Sequence, residues 1–385
     1  MMKKICIVTG SRAEYGLLYW TIKKLENAPE VDLHLVVTGS HLSDKFGNTI
    51  NEINPIKIKN LHKINILSSN DNITGISKTI QNAIQKFSIF FIKNKFDSLI
   101  VLGDRYEIFG VVQAAMINKL PISHLHGGES TYSLMDDAIR HSITKMSHLH
   151  FTTSEVYKKR VIKMGESPKN VFNFGPPCID NIKRSMLLNK KTLQLKLNIN
   201  LESKVFLITF HPETLLENDE RNLLNFLSVL KEFKCSKIFT GVNADINRSI
   251  IHRIIKDFVK LNDSCFHFDS LGRINYLSLM KISNLVLGNS SSGVIEAPLI
   301  GVPSINLGER QKGRERKKSV INCDFKIDNI YKSIEIASNK KFKVKVKAES
   351  NKLLKKYTDV SDKISDVILN TDMKKLLLKK FYEKN

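Results

Sequence analysis

Lys4-Ile5-Cys6-Ile7-Val8-Thr9-Gly10-Ser11-Arg12-Ala13-Glu14-Tyr15-Gly16 is an unbroken apolar run that ends in a glycine turn and opens a helical pattern. An apolar run of this length is expected of a strand buried on both faces, as in parallel sheets. Glycine permits the tight turn, and a helix N-terminus beside Arg12 favours a phosphate. The spacing is not G-x-G-x-x-G, so this segment taken alone leaves an ordinary strand–helix turn open.

The same unit recurs. Short Ile- and Val-rich runs predict strands at 4–9, 33–38, 98–102, 121–125, 149–152 and 171–174, then at 205–210, 237–240, 265–268, 284–287 and 303–307. Amphipathic stretches at 73–93, 107–119, 137–147, 220–234, 246–260 and 293–300 predict helices between them. Strands alternating with helix-length segments imply an α/β class with doubly wound parallel sheets. The pattern breaks at Gly175-Pro176-Pro177 and through the polar stretch 189–203. A Pro-Pro pair continues neither a helix nor a central ladder. The expectation is two Rossmann-like domains, 1–175 and 176–360, facing a cleft with the carboxyl ends of both sheets turned toward it.

Composition narrows the function classes. A chain of 385 residues is long enough for two cores. No apolar run approaches the ~20 residues that span a bilayer, and the start is too short for a signal peptide, so a cytoplasmic protein with no membrane partner is expected. Cys6, Cys178, Cys235, Cys265 and Cys323 are odd in number and scattered, which argues against disulfides or a structural zinc site. The net charge of +22 is compatible with nucleic-acid binding. However, lysine is spread along the chain and densest in its last fifty-five residues, including Lys340 to Lys347 and a helical-looking 373–381. A solvated basic face that attracts an anionic substrate is the expectation, with no nucleic-acid partner.

Several segments carry chemistry. Gly103-Asp104-Arg105-Tyr106-Glu107 follows an apolar strand and places a carboxylate where open α/β sheets bind ligands, although Asp104 could also cap the next helix. In His124-Leu125-His126-Gly127-Gly128-Glu129, alternation predicts both histidines on one face of the strand end. Asp136 with Arg140, and Asp137 with His141, are i,i+4 neighbours. Two histidines and two carboxylates could ligate zinc or manganese. The spacing fits no standard zinc motif and Arg140 would compete with a cation, so acid–base chemistry is favoured. Further along, His211 ends a strand and Gly288-Asn289-Ser290-Ser291-Ser292-Gly293 opens a helix bearing Glu296, a diphosphate cradle with a ribose acceptor one turn in. Arg310-Gln311-Lys312-Gly313-Arg314 adds a basic loop.

Together these segments resemble the hydrolysing UDP-N-acetylglucosamine 2-epimerases of the bacterial sialic-acid pathway. The matching stretches are 8–16, 101–107, 124–129, Asp136 to Lys145, 210–214, Asn243-Ala244-Asp245, 288–296 and 306–314. The resemblance implies a glycosyltransferase-B architecture, with a terminal helix in 361–385 that packs back across the domains. It implies no metal and no other cofactor, a UDP-sugar as partner, and a homodimer or homotetramer. By similarity, Asp104, Glu129, Asp136 and His211 are the catalytic residues. Arg12, Arg105, His126, Arg140, Asn243, Asp245, Ser290, Ser291, Ser292, Gly293, Glu296 and Arg310 bind substrate. The implied reaction eliminates UDP to a 2-acetamidoglucal and then adds water to give N-acetylmannosamine. Some relatives carry a carboxylate where His126 stands, which leaves His126 and Glu129 as alternatives for one proton-carrying role. The non-hydrolysing branch resembles G-T-R-P-E-x-I-K in the first loop; here Ala13 and Leu17 stand at the proline and lysine positions. A 2,4-diacetamido-6-deoxy sugar, as in legionaminic acid pathways, or a glycosyltransferase of the same fold are the alternatives.

Overall fold

The computed structural model describes residues 2–53, 58–70, 72–132, 135–212, 219–241 and 248–383. Strands in chain order are β1 (Lys3–Thr9), β2 (Val31–Val37), β3 (Asn60–Lys63), β4 (Ser98–Leu102), β5 (Ile122–Leu125), β6 (Leu149–Thr152), β7 (Val171–Asn173), β8 (Val205–Thr209), β9 (Ser236–Thr240), β10 (Cys265–Phe268), β11 (Leu285–Gly288), β12 (Ser304–Leu307) and β13 (Val320–Cys323). The helices are α1 (Arg12–Glu26), α2 (Ile73–Asn94), α3 (Tyr106–Ile117), α4 (Met135–Met146), α5 (Glu155–Lys163), α6 (Cys178–Arg184), α7 (Lys190–Leu197), α8 (Asp219–Lys231), α9 (Arg248–Lys260), α10 (Gly272–Ile282), α11 (Ser291–Ile300), α12 (Ile327–Ser338), α13 (Lys340–Lys356) and α14 (Val360–Asn370).

The chain forms two compact units. One comprises Met1–Ser130, Met135–Asn181 and Tyr357–Asn385; the other comprises Thr131–Leu134 and Ile182–Lys356. The first holds a seven-stranded parallel sheet ordered β3-β2-β1-β4-β5-β6-β7, the second a six-stranded parallel sheet ordered β10-β9-β8-β11-β12-β13. Period-two alternation sorts the side chains of each central strand. Cys6 and Val8 join a core with Phe87 and Phe91 of α2 and Val111 and Val112 of α3, leaving buried Ile5 and Ile7 for the opposite face. In the second unit Phe206 and Ile208 pack with α8, α9 and α12, while Val205 and Leu207 pack with α7, α10 and α11. Both are Rossmann-like, as the α/β reading expects.

In each sheet the first strand sits inside, and its successors turn away on both sides. The strand order therefore reverses between β1 and β4 in the first unit and between β8 and β11 in the second. Ligands of open α/β sheets bind outside the carboxyl ends of the strands at such a point.

Several local expectations differ from the structure. β3 and β13 were not anticipated: both are four-residue edge strands, and Asn-Leu-His-Lys in β3 has no apolar run to reveal it. The polar stretch 189–203 contains α7, capped by Asn189 and held to the core by Leu193. Over 373–381 only a 3-10 turn at Met373–Leu377 forms, and the terminal α-helix ends at Asn370. All five cysteines are buried, and none of them is in a disulfide. Among the described residues no helix is long and apolar enough to cross a membrane.

Candidate active site

At the first unit's switch point the β1–α1 turn is a capping box. Ser11 is the N-cap and accepts from the Glu14 backbone N–H at 3.4 Å; Glu14 folds back, and its Oε2 accepts from the Gly10 N–H at 2.7 Å. This leaves Arg12 at the first helical position, beside backbone N–H groups that have no partner within the helix. Burial pushes the Glu14 carboxyl up to about 8, with the Gly10 N–H pulling the other way and Glu107 adding to the rise.

Beyond β4, the capping alternative for Asp104 fails. The N-cap of α3 is Arg105, with no side-chain capping bond, and Asp104 forms an ion pair with Arg140 Nη2 instead. The other arm of the same guanidinium, Nη1, lies 3.4 Å from Glu129 Oε2. Glu129 Oε1 accepts from Thr153 Oγ1 at 2.9 Å and stands 2.8 Å from His126 Nδ1. One buried arginine from mid-α4 thus joins carboxylates from two different loops. Arg140 and Glu129 are each 1 % exposed, so their charges need this mutual pairing.

The two histidines of the His-x-His segment part company. β5 stops at Leu125, and His126 adopts φ 65°, a left-handed conformation that non-glycine residues seldom take. His126 is buried with Nδ1 on Glu129, and among the described residues its Nε2 has no hydrogen-bond partner. His124 faces elsewhere: Nε2 donates to the Gly103 carbonyl at 2.8 Å and Nδ1 meets Thr144 Oγ1 at 3.2 Å. Burial lowers its pKa to about 3, so it is a neutral strut, with both nitrogens engaged and neither offered to a metal. Since Thr144 Oγ1 also lies 3.0 Å from the Arg140 carbonyl, His124 ties α4 to the Gly103-Asp104 loop.

Asp136 is half-buried in the first turn of α4. Asp137 accepts from Ser130 Oγ at 2.8 Å and lies 3.6 Å from His141 Nε2, the expected i,i+4 pair. Arg105 turns inward, with Nε 3.4 Å from Glu107 Oε2 and its guanidinium over Tyr106.

The second unit's switch point is organised by Asn289, which is fully buried. Its side chain accepts from the His211 N–H and donates to the His211 carbonyl, both at 2.7 Å, locking the β8 and β11 ends together. Its own carbonyl receives Gln311 Nε2 at 2.9 Å and Arg310 Nη1 at 3.5 Å, which seats the basic loop. Ser290 is the N-cap of α11 and accepts from the Ser292 N–H at 3.4 Å. Ser292 Oγ meets Tyr276 OH at 2.5 Å. Ser291 and Gly293 lie in the first turn, and half-buried Glu296 one turn further. Asn243 and Asp245 lie outside the described residues.

Glu14, Thr153, Asn289 and Tyr276 were missed as contributors. Ser11-x-x-Glu14 was legible as a capping box, and Asn289 stands inside a quoted motif. Thr153 and Tyr276 left no signal, because only the folded chain brings them to Glu129 and Ser292. Elsewhere, His252, His267 and Asp269 offer donor atoms within 4.8 Å of one another, spacing that a divalent cation could use. His252 Nε2 already sits 3.0 Å from Asp269 Oδ1, an ordinary histidine–carboxylate pair.

Comparison with known proteins gives a consistent result. The family model for UDP-N-acetylglucosamine 2-epimerase matches residues 23–369. A Campylobacter jejuni protein named GDP/UDP-N,N'-diacetylbacillosamine 2-epimerase (hydrolyzing) is 42% identical over 344 residues, covering 89% of each chain. Polysialic acid biosynthesis protein P7 of Escherichia coli is 42% identical over 357 residues, covering 92% of this chain and 91% of that protein. The crystal structure of UDP-GlcNAc 2-epimerase from Neisseria meningitidis bound to UDP-GlcNAc shares the fold, with a TM-score of 0.79 at 21% identity over 96% of this chain and 100% of that one.

Proposed function

The chain belongs to the UDP-N-acetylglucosamine 2-epimerase family, and we propose that it is a hydrolysing UDP-sugar 2-epimerase acting on a UDP-N-acetylhexosamine. The observation that carries this reading is the cluster at the first switch point, where Arg140 joins Asp104 and Glu129 and His126 leans on Glu129. A C2 proton is only weakly acidic, so a base must remove it as the C1–oxygen bond to UDP breaks. The electron pair of the C2–H bond becomes the C1–C2 double bond of a glycal, and UDP departs with the C1–O pair. Water then adds its hydroxyl to C1 while a proton returns to C2 from the opposite face, releasing the 2-epimeric free sugar.

His126 and Glu129 act as one unit in this reading. The carboxylate orients the ring through Nδ1–H and leaves Nε2 to handle the proton. Asp104 and Asp136 supply the second acid–base function. The N-terminus of α11, with Ser290 to Ser292, holds the diphosphate, and Glu296 takes the ribose; His211 and Arg310 stabilise the leaving charge.

Two relatives bear on the sugar. The name of the Campylobacter jejuni protein favours a 2,4-diacetamido-6-deoxy substrate, and that of the Escherichia coli protein favours N-acetylglucosamine on the way to sialic acid. We assign UDP-N-acetylglucosamine first and the diacetamido sugar second. Pure protein incubated with each UDP-sugar and no acceptor should release UDP and the 2-epimeric free sugar, with solvent deuterium at C2 in heavy water. Turnover only with an acceptor would make it a glycosyltransferase; UDP-N-acetylmannosamine as product would make it non-hydrolysing; product without deuterium would remove the C2 proton step.

A further inference from the structure

Residues 379–382 lie beyond the matched residues 23–369, yet they are tied to the first unit by partly buried contacts, although Phe381 itself is largely exposed. Lys379 Nζ donates to the carbonyls of Lys145 and Ser147, each at 2.7 Å, which are acceptors at and just past the last turn of α4. The same ammonium lies 2.8 Å from Glu166 Oε2. Glu166 is 2 % exposed and also receives Lys145 at 2.6 Å and His150 Nε2 at 2.9 Å. Burial alone would raise the Glu166 carboxyl, but His150, Lys145 and Lys379 together hold it at about 2. His150 is fully buried, and burial lowers its pKa while the Glu166 carboxylate pulls the other way. The Phe381 ring lies under the Lys145 ammonium at 4.9 Å and fills the space a side chain at Gly165 would need, where φ is 87°. The Tyr382 N–H donates to the Gly165 carbonyl at 2.9 Å.

We infer that this C-terminal strap is a positioning element for catalysis, with Lys379 capping the carboxyl end of the helix whose other turns present Asp136 and Arg140. A cation at a helix C-terminus satisfies carbonyls that have no helical partner and opposes the negative end of the dipole. Here it also neutralises a buried carboxylate that grips the same helix through Lys145. Releasing it frees the end of a rod only three turns long, and a shift there reaches Arg140 and hence Asp104 and Glu129. The inference rests on the proposed role of the Arg140 cluster.

The test compares Lys379→Met and Lys379→Arg in the full chain. Lys379→Met should lower kcat about tenfold with KM held within about twofold, the scale expected of a small misplacement of reacting groups. Hydrogen exchange should quicken over α4 and not across the rest of the unit, and Lys379→Arg should restore both. Unchanged kcat in Lys379→Met, or faster exchange throughout the unit, would overturn the inference. Failure of the underlying reading shows separately: Arg140→Met would keep full activity, or the wild-type chain would turn over no UDP-sugar, while the exchange measurement still reports on the strap.

Discussion

At Glu14 a single residue serves two ends. Its capping-box geometry shapes the turn that presents Arg12, and its burial leaves a carboxyl that ionises only near pH 8. The folded-state pKa is raised above the unfolded value of about 4.3. The folded chain therefore binds more protons than the unfolded one between those values, and this contribution is complete below about pH 4.3 and lost as pH rises toward 8. Glu14→Gln keeps the hydrogen-bonding shape and removes the titration. Urea unfolding at pH 5.5 and pH 8 (about 2.5 units apart) should show a smaller loss of stability on raising the pH in Glu14→Gln than in the wild type. Equal losses would mean that Glu14 ionises normally in the fold. The same residue shows what sequence can and cannot reveal. Ser11-x-x-Glu14 is legible as a cap, but the raised pKa comes from burial in the folded unit, to which Glu107 adds from ninety-three positions away.

Among the elements, the β11–α11 turn has the narrowest tolerance. Gly288 has φ 127°, and a side chain there would run into the Thr209 carbonyl of the neighbouring strand. Gly288→Ala should cost about 3 kcal/mol of stability and weaken UDP binding, since the turn sets the Asn289 bridge to His211. Urea unfolding and UDP titration together check this, and native-like stability with native affinity would contradict it. The central strands were legible because both faces are buried and Ile, Val, Leu and Phe dominate them. The edge strands β3 and β13 were not, because polar residues interrupt them, Asn60, His62 and Lys63 in the one and Asn322 in the other. The alternation that predicted His124 and His126 on one face does not extend to His126, because the strand ends at Leu125 and the backbone turns left-handed there. Asp104 and Glu129, which pair with Arg140, belong to other loops, a convergence that no helical spacing could announce.

For the whole molecule, the excess of 22 positive charges acts at a distance. A UDP-sugar carries a diphosphate, so raising salt to about 0.5 M should increase KM a few-fold while leaving kcat nearly constant. A KM indifferent to salt would confine the attraction to buried contacts. The chain's path has another effect. It builds all seven strands of the first sheet before Asn181, passes through the second unit, and returns to the first at Tyr357. On return, Val360, Ile364 and Ile368 of α14 become buried as that helix packs with α1, and the Ser361 N–H donates to fully buried Asp180 at 2.6 Å. During synthesis the second unit, made almost wholly of one continuous stretch, has all its strands before the first unit has its last helix. A nascent chain halted between the two would therefore lack the helix that packs on α1, and the first unit closes only when α14 has been made.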